Sequence, residues 1–213
     1  MAVTLLFMTN GRKAYMEQTF ASVVDNLRGG IDRVVFHSDT RDPDYNDWLY
    51  TLGHEVVINQ GNHGFSAAMR NAWRNVEGNV IHWEDDFILK RPIYVSDLQD
   101  ILEDETLAQV ALKRQPWNIQ EKAAGGIVEC DPDSYAEEYA NGFTITRHRK
   151  FFTTNPSMYT QKVMNLGWPT GEHSEGMFGF KVWDAGMHSA FLGGKFDEPI
   201  VEHIGYDRTG SEY

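Results

Sequence analysis

Two periodicities alternate through the first hundred residues, and that alternation sharply limits the folds open to the chain. Residues 3–9 (VTLLFMT), 32–39 (DRVVFHSD), 54–60 (HEVVINQ) and 78–85 (GNVIHWED) are short apolar runs with turn residues nearby, the pattern of buried strands. Between them, residues 14–27, 43–53 and 65–76 carry apolar residues at helical spacing. Strand, helix, strand, helix predicts an α/β fold with a mainly parallel central sheet flanked by helices and joined by right-handed crossovers. In such sheets ligands bind beyond the carboxyl ends of the strands. Those ends carry Thr9, Asn10, Gly11 and Arg12, then His37, Ser38 and Asp39, then Glu84, Asp85 and Asp86. Polar groups from three separate segments are therefore expected on one rim.

Farther on, residues 95–104 read as a helix and residues 107–114 as a strand. Residues 115–145 contain GG, DPD and NG turn signals and are expected to form a long excursion with little regular structure. Order returns over residues 149–160, with a helix over 161–167 and another over 172–186 that ends at Gly186. A length of 213 residues suits one domain, and a hydrophobic content of 41% can build its core. The formal charge of −12 disfavours nucleic-acid backbones and anionic lipid surfaces as partners. One cysteine, Cys130, excludes an internal disulfide framework. No window approaches the length of a membrane span, and the opening residues lack a secretory pattern. The expected compartment is the cytoplasm, that of the host if the chain is virus-encoded.

The segment IHWEDDFI, residues 81–88, places three acids inside an apolar run. If the strand persists through residue 86, His82, Glu84 and Asp86 share one face, and Ile81, Trp83, Asp85 and Phe87 share the other. Clustered carboxylates must protonate, separate or bind a cation, and hard oxygen ligands suit Mg²⁺ or Mn²⁺. A solvated turn with local hydrogen bonds is the other reading; a place at the end of a parallel strand favours the cation.

The order of elements, with EDDF closing the fourth strand, resembles the nucleotide-sugar-dependent glycosyltransferases of the GT-A fold, especially family 2-like members. The resemblance implies a single GT-A (Rossmann-like) domain, with residues 1–114 as the nucleotide-sugar half and residues 115–213 as the acceptor half and metal-binding tail. TNGR (Thr9, Asn10, Arg12) and HSDT would be nucleobase-binding edges, with Asp39 accepting from uracil. GNHGFSAAMRN resembles the family's N-x-G-x-x-x-A-R-N region with one residue inserted, which makes Arg70 a donor contact. EDDF would be the equivalent of the family's DxD motif: Asp86 ligates the metal, while Glu84 and Asp85 face the ribose or the metal's waters. VEHIGYDRTG resembles the tail that supplies a metal-ligating histidine, His203, and a phosphate contact, Arg208. EHSEGMF resembles the acceptor-side segment whose carboxylate acts as general base; Glu175 matches the position, and Glu172, one helical turn earlier, competes with it. Both acids also suit a helix N-terminus electrostatically.

What the resemblance implies is a metal-dependent transferase. It would move a sugar from a nucleotide diphosphate, expected to be a UDP-sugar, to an acceptor hydroxyl on a protein, glycan or other molecule, with inversion. Sugar-phosphate nucleotidyl transfer is the first rival, although TNGRKAY holds one glycine where such enzymes carry a Gly-rich loop. A noncatalytic sugar- or protein-binding module of the same fold is the second. The scattered histidines disfavour a metal-dependent hydrolase.

Overall fold

A computed structural model describes residues 2–59 and 64–205 of the chain. The alternation expected from the sequence is present almost residue for residue. It runs β1 (Val3–Thr9), α1 (Lys13–Asn26), β2 (Leu27–Arg28), β3 (Arg33–Ser38), α2 (Pro43–Thr51), β4 (Glu55–Ile58), α3 (Phe65–Arg74) and β5 (Asn79–Glu84). The chain continues through β6 (Phe87–Leu89), β7 (Ile93–Tyr94), α4 (Val95–Ile101), β8 (Leu107–Ala111) and α5 (Ile119–Ala124). It closes with β9 (Tyr135–Ala140), β10 (Phe143–His148), β11 (Ser157–Tyr159), α6 (Gln161–Met164), α7 (Ser174–Asp184), β12 (His188–Leu192) and β13 (Val201–His203).

Nine strands form one sheet in the order β4-β3-β1-β5-β11-β8-β12-β10-β9. Seven of them run in one direction, and β11 and β10 run against it. The expectation of little regular structure over residues 115–145 is corrected here. That stretch holds α5 and all of β9, and it leads into β10, which pairs with β9 as a hairpin extending the sheet. β9 reads Tyr-Ala-Glu-Glu-Tyr-Ala and is largely exposed, so an edge strand with charged side chains leaves no apolar alternation to read.

Strand parity divides the core into two layers. Leu5, Phe7, Ile81 and Trp83 pack with Met16 and Val23 of α1, Leu49 of α2 and Leu98 of α4. Leu6, Met8 and Val80 point the other way, onto Ala68, Met69 and Trp73 of α3, Val163 of α6, and Phe178 and Val182 of α7. His82 belongs to this second layer. It is fully buried, its Nδ1 lies 3.3 Å from the Tyr159 hydroxyl, and burial pushes its pKa down to about 3. The even-numbered face of β5 is thus buried, and His82 is a neutral core histidine away from the rim.

In the same layer α7 is brought close to the chain before β11. A Cβ on Gly179 would lie 3.2 Å from the Phe152 backbone nitrogen, so the glycine permits the close approach. Phe178 beside it packs on Phe152, Trp168 and Trp73 at centroid distances of 4.7, 4.9 and 5.1 Å. Among the described residues no helix is long and apolar enough to cross a membrane.

Removing the Phe178 ring would leave a cavity at the centre of this cluster. Phe178→Ala is expected to lower the unfolding free energy by about 3–5 kcal/mol. Phe180→Ala, on the exposed face of the same helix, should cost well under about 1 kcal/mol. Urea denaturation of the two variants beside wild type measures both.

Candidate active site

The acids of IHWEDDFI sit in a tight connection between β5 and β6, because the strand stops at Glu84. Trp83 Nε1 closes the turn by donating to the Phe87 carbonyl at 2.9 Å, and Thr19 of α1 donates to the Asp85 carbonyl at 2.9 Å. The strict alternation expected through residue 86 therefore ends two residues early. The turn sends each acid to a different neighbour.

Asp85 faces the end of β1. Its Oδ2 accepts from the Thr9 hydroxyl at 2.8 Å and from the Asn10 backbone N–H at 3.4 Å, and its Oδ1 accepts from Arg12 Nη2. Arg12 reaches back because Gly11 before it adopts a left-handed conformation, φ 101°. Burial raises the Asp85 pKa against the opposing pull of Arg12.

Asp86 turns toward the end of the chain. β13 pairs antiparallel with β6, setting His203 opposite Phe87, and Ile204 N–H donates to the Asp86 carbonyl at 2.9 Å. His203 Nε2 then lies 3.1 Å from Asp86 Oδ2 across 117 residues of sequence. Arg12 Nη1 reaches the same oxygen at 2.7 Å. Burial alone would raise the Asp86 pKa; hydrogen bonding from His203 and the charge of Arg12 carry it below the usual carboxylate range. A Cβ on Gly205 would collide with Asp86 Oδ2, so only glycine lets the tail pass.

His203 is held on several sides. Its ring stacks on Phe87 at 4.6 Å and touches Trp117 at 3.9 Å. The Gln115 side chain accepts from its backbone N–H at 2.9 Å and donates to its carbonyl at 2.8 Å. Trp117 is set in turn by the buried Arg114–Glu121 ion pair, since Glu121 also accepts from the Trp117 backbone N–H at 2.7 Å. The sequence carried no signal for Gln115, Arg114 or Glu121 as supports of this histidine, because their role exists only once residues 114–121 lie against β13.

Glu84 faces the opposite wall. The Thr154 hydroxyl lies between it and Glu175, and Thr154 donates to Glu175 Oε1 through its backbone N–H at 2.7 Å and its hydroxyl at 3.0 Å. Burial, then the neighbouring charges of Asp86 and Glu175, raise the Glu84 pKa well above normal. Burial likewise raises that of Glu175. Glu175 lies in the first turn of α7, which starts after His173 in a left-handed conformation, φ 55°. Glu172 precedes the helix and is exposed. The structure thus brings Glu175, and not Glu172, to the acids; Thr154 is a member of the site that the sequence did not single out.

The remaining candidates have other partners. Thr9 is buried, and its hydroxyl is taken by Asp85 and Tyr45. Asn10 is exposed and touches Asp85 through its backbone. Asp39 is buried at the ends of β1 and β3, where it accepts from Asn59 Nδ2 at 2.6 Å. Arg70 donates to Ser66 at 2.8 Å and to the Pro169 carbonyl at 3.2 Å, tying α3 to the loop before α7. Arg208 lies outside the described residues.

A divalent ion fits the pair Asp86 and His203. Asp86 Oδ1 is buried and has no hydrogen-bond partner among the described residues. The 3.1 Å between His203 Nε2 and Asp86 Oδ2 is close to the edge of an octahedron with bonds of about 2.1 Å. Among the described residues no cluster of three or more His, Cys, Asp or Glu forms a metal site. Among the described residues Asp86 and His203 are the groups that would hold such an ion, and a substrate and water would complete its shell.

No family model and no curated protein matches the sequence. Solved structures do match. GalNAc-T7 with UDP, GalNAc and Mn²⁺ superposes with a TM-score of 0.67 at 12% identity over 95% of this chain and 43% of that one. The mannosyltransferase PcManGT from Pyrobaculum calidifontis, in complex with GDP-Man and Mn²⁺, gives 0.67 at 14% identity over 97% and 58%. CMP:2-keto-3-deoxy-manno-octonic acid synthetase complexed with CTP gives 0.55 at 14% identity over 91% and 90%. The chain spans about half the length of the two glycosyltransferase structures. At these identities the likeness establishes the fold, which is the GT-A fold.

The raised pKa of Glu84 has a consequence for stability. The folded protein keeps this proton to a higher pH than the unfolded chain does, so stability falls as pH rises from about 4.3, the free glutamate value, through the raised one. Glu84→Gln removes that loss. It is expected to raise the midpoint of thermal unfolding at pH 8 and to change it little at pH 4, as read by calorimetry of the metal-free protein.

Proposed function

We propose that the chain is a metal-dependent glycosyltransferase that uses a nucleotide diphosphate sugar, a UDP-sugar by preference, and transfers the sugar to an acceptor hydroxyl with inversion. The observation that carries this reading is the convergence of Asp86 and His203 beside a second wall bearing Glu175, within a GT-A fold. In this reading Asp86 and His203 hold Mn²⁺ or Mg²⁺. When bound, the ion would neutralise charge that develops on the departing diphosphate. Asp39 receives the base, Glu84 faces the ribose or the ion's waters, and Arg70 and Arg208 remain the proposed donor contacts.

Glu175 is the proposed base. It takes the proton from the acceptor hydroxyl, and the oxygen attacks the anomeric carbon from the face opposite the diphosphate. Thr154 fixes Glu175 Oε1 with two hydrogen bonds, which orients the carboxylate. The raised pKa makes it a stronger base than a solvated glutamate. Glu172, exposed ahead of the helix, has no comparable support.

The synthetase likeness, which spans nearly the whole of both chains, favours nucleotidyl transfer as a second reading. The products separate the two: a glycosyltransferase releases a nucleoside diphosphate from a nucleotide sugar, whereas a nucleotidyltransferase releases pyrophosphate from a nucleoside triphosphate and a sugar phosphate. A panel of UDP-, GDP- and TDP-sugars and of triphosphates, with Mn²⁺ or Mg²⁺, decides between them. Metal-dependent release of the diphosphate is expected, and pyrophosphate release alone would replace the first reading with the second.

Asp86→Ala is expected to reduce turnover by about a hundredfold or more. Glu175→Gln should reduce it by about 10²–10⁴-fold, while Glu172→Gln should stay near wild type; nucleoside diphosphate release measures all three. Because the base acts deprotonated and burial raises its pKa, kcat should fall on the acid side through a value above the free glutamate pKa of about 4.3. An acid limb at or below that value would remove Glu175 from the role.

A further inference from the structure

Arg12 stands in the β1–α1 turn, but its guanidinium is turned away from solvent and onto two acids. Nη2 bonds Asp85 Oδ1, and Nη1 lies 2.7 Å from Asp86 Oδ2. The latter is the oxygen that His203 Nε2 approaches at 3.1 Å. The side chain is 19% exposed, and its Nε is buried without a partner among the described residues. Burial alone would make the arginine less basic; the two carboxylates outweigh that and raise its pKa, so it is a permanent cation.

A divalent ion ligated by Asp86 would therefore meet a positive charge already on that carboxylate. Two cations on one carboxylate repel each other, and strongly in a site where water is scarce. A nucleotide diphosphate changes this balance. Its oxygens bring negative charge to the ion, and they also accept a planar guanidinium through paired hydrogen bonds.

We propose that Arg12 is a resident cation competing with the divalent metal for Asp86, so that the ion binds tightly only together with the nucleotide diphosphate, onto which Arg12 moves. The inference rests on the metal reading of Asp86 and His203. It assigns Arg12 a positioning role: it offsets part of the acid turn's negative charge when the site is empty and links metal binding to donor binding. Such a link is reciprocal, so metal and nucleotide must strengthen each other's binding equally.

The test is Mn²⁺ binding, read from the electron paramagnetic resonance of the free ion, for wild type, Arg12→Gln and Arg12→Lys, each with and without UDP. Wild type should bind Mn²⁺ weakly alone and more tightly with UDP. Arg12→Gln should bind Mn²⁺ alone about tenfold tighter or more, with a smaller further gain from UDP. Arg12→Lys, which keeps the charge, should resemble wild type. Unchanged or weaker Mn²⁺ binding by Arg12→Gln overturns the proposal. Tightening in Arg12→Lys overturns it too, and that arm decides the matter if Arg12→Gln does not fold. Wild type that takes up no Mn²⁺ even with UDP would instead overturn the metal reading itself, so the two failures are distinguishable.

Discussion

Asp86 joins three parts of the chain. Through Arg12 it meets the turn after β1, through its backbone it follows β5, and through His203 it meets the tail. A buried carboxylate is stable only where donors or cations satisfy it, so each of these segments must arrive for the acid to sit where it does. The small β6–β13 sheet performs the longest of these closures. Gly205 lets the tail pass without displacing the carboxylate.

Around that point the acids are unequal, and the inequality has electrostatic causes. Asp85 and Asp86 share a guanidinium. Glu84 has no such partner among the described residues and lies among Asp86 and Glu175, so its proton is held more tightly. One wall of the site thus carries two carboxylates that share one arginine, and the other carries carboxyls whose ionisation is held back. In the proposed reading the first wall holds the cation that meets the diphosphate, and the second supplies the base. Thr154 joins the two walls by standing between Glu84 and Glu175.

Much of the scaffold could be read from residue order. β1, β3 and β5 are apolar runs with clean ends, and α1 and α3 carry helical spacing between them, so local pattern and tertiary fold agree. The hairpin of β9 and β10 escaped because Glu137 and Glu138 put charged side chains on a largely exposed edge strand. Asp86, His203 and Glu175 were legible as candidates. The parity that placed Asp86 was not sound beyond Glu84, since the strand ends there, and the pairing with His203 arises instead from the β6–β13 closure. Thr9 was legible only through the resemblance, as part of a nucleobase-binding edge, and the fold adds that its hydroxyl is taken by Asp85 and Tyr45.

By itself the sequence determined the alternation of elements and the placement of polar residues at the carboxyl ends of strands. These follow from side-chain periodicity, which is local. Only the tertiary structure decided which acid faces which cation, that Arg12 lies on Asp85 and Asp86, that His203 is wedged between Phe87 and Trp117, and that Glu175 rather than Glu172 is supported by Thr154. Those outcomes depend on contacts between residues far apart in the chain. Desolvation and charge pairing act through space, and no spacing along the sequence encodes them.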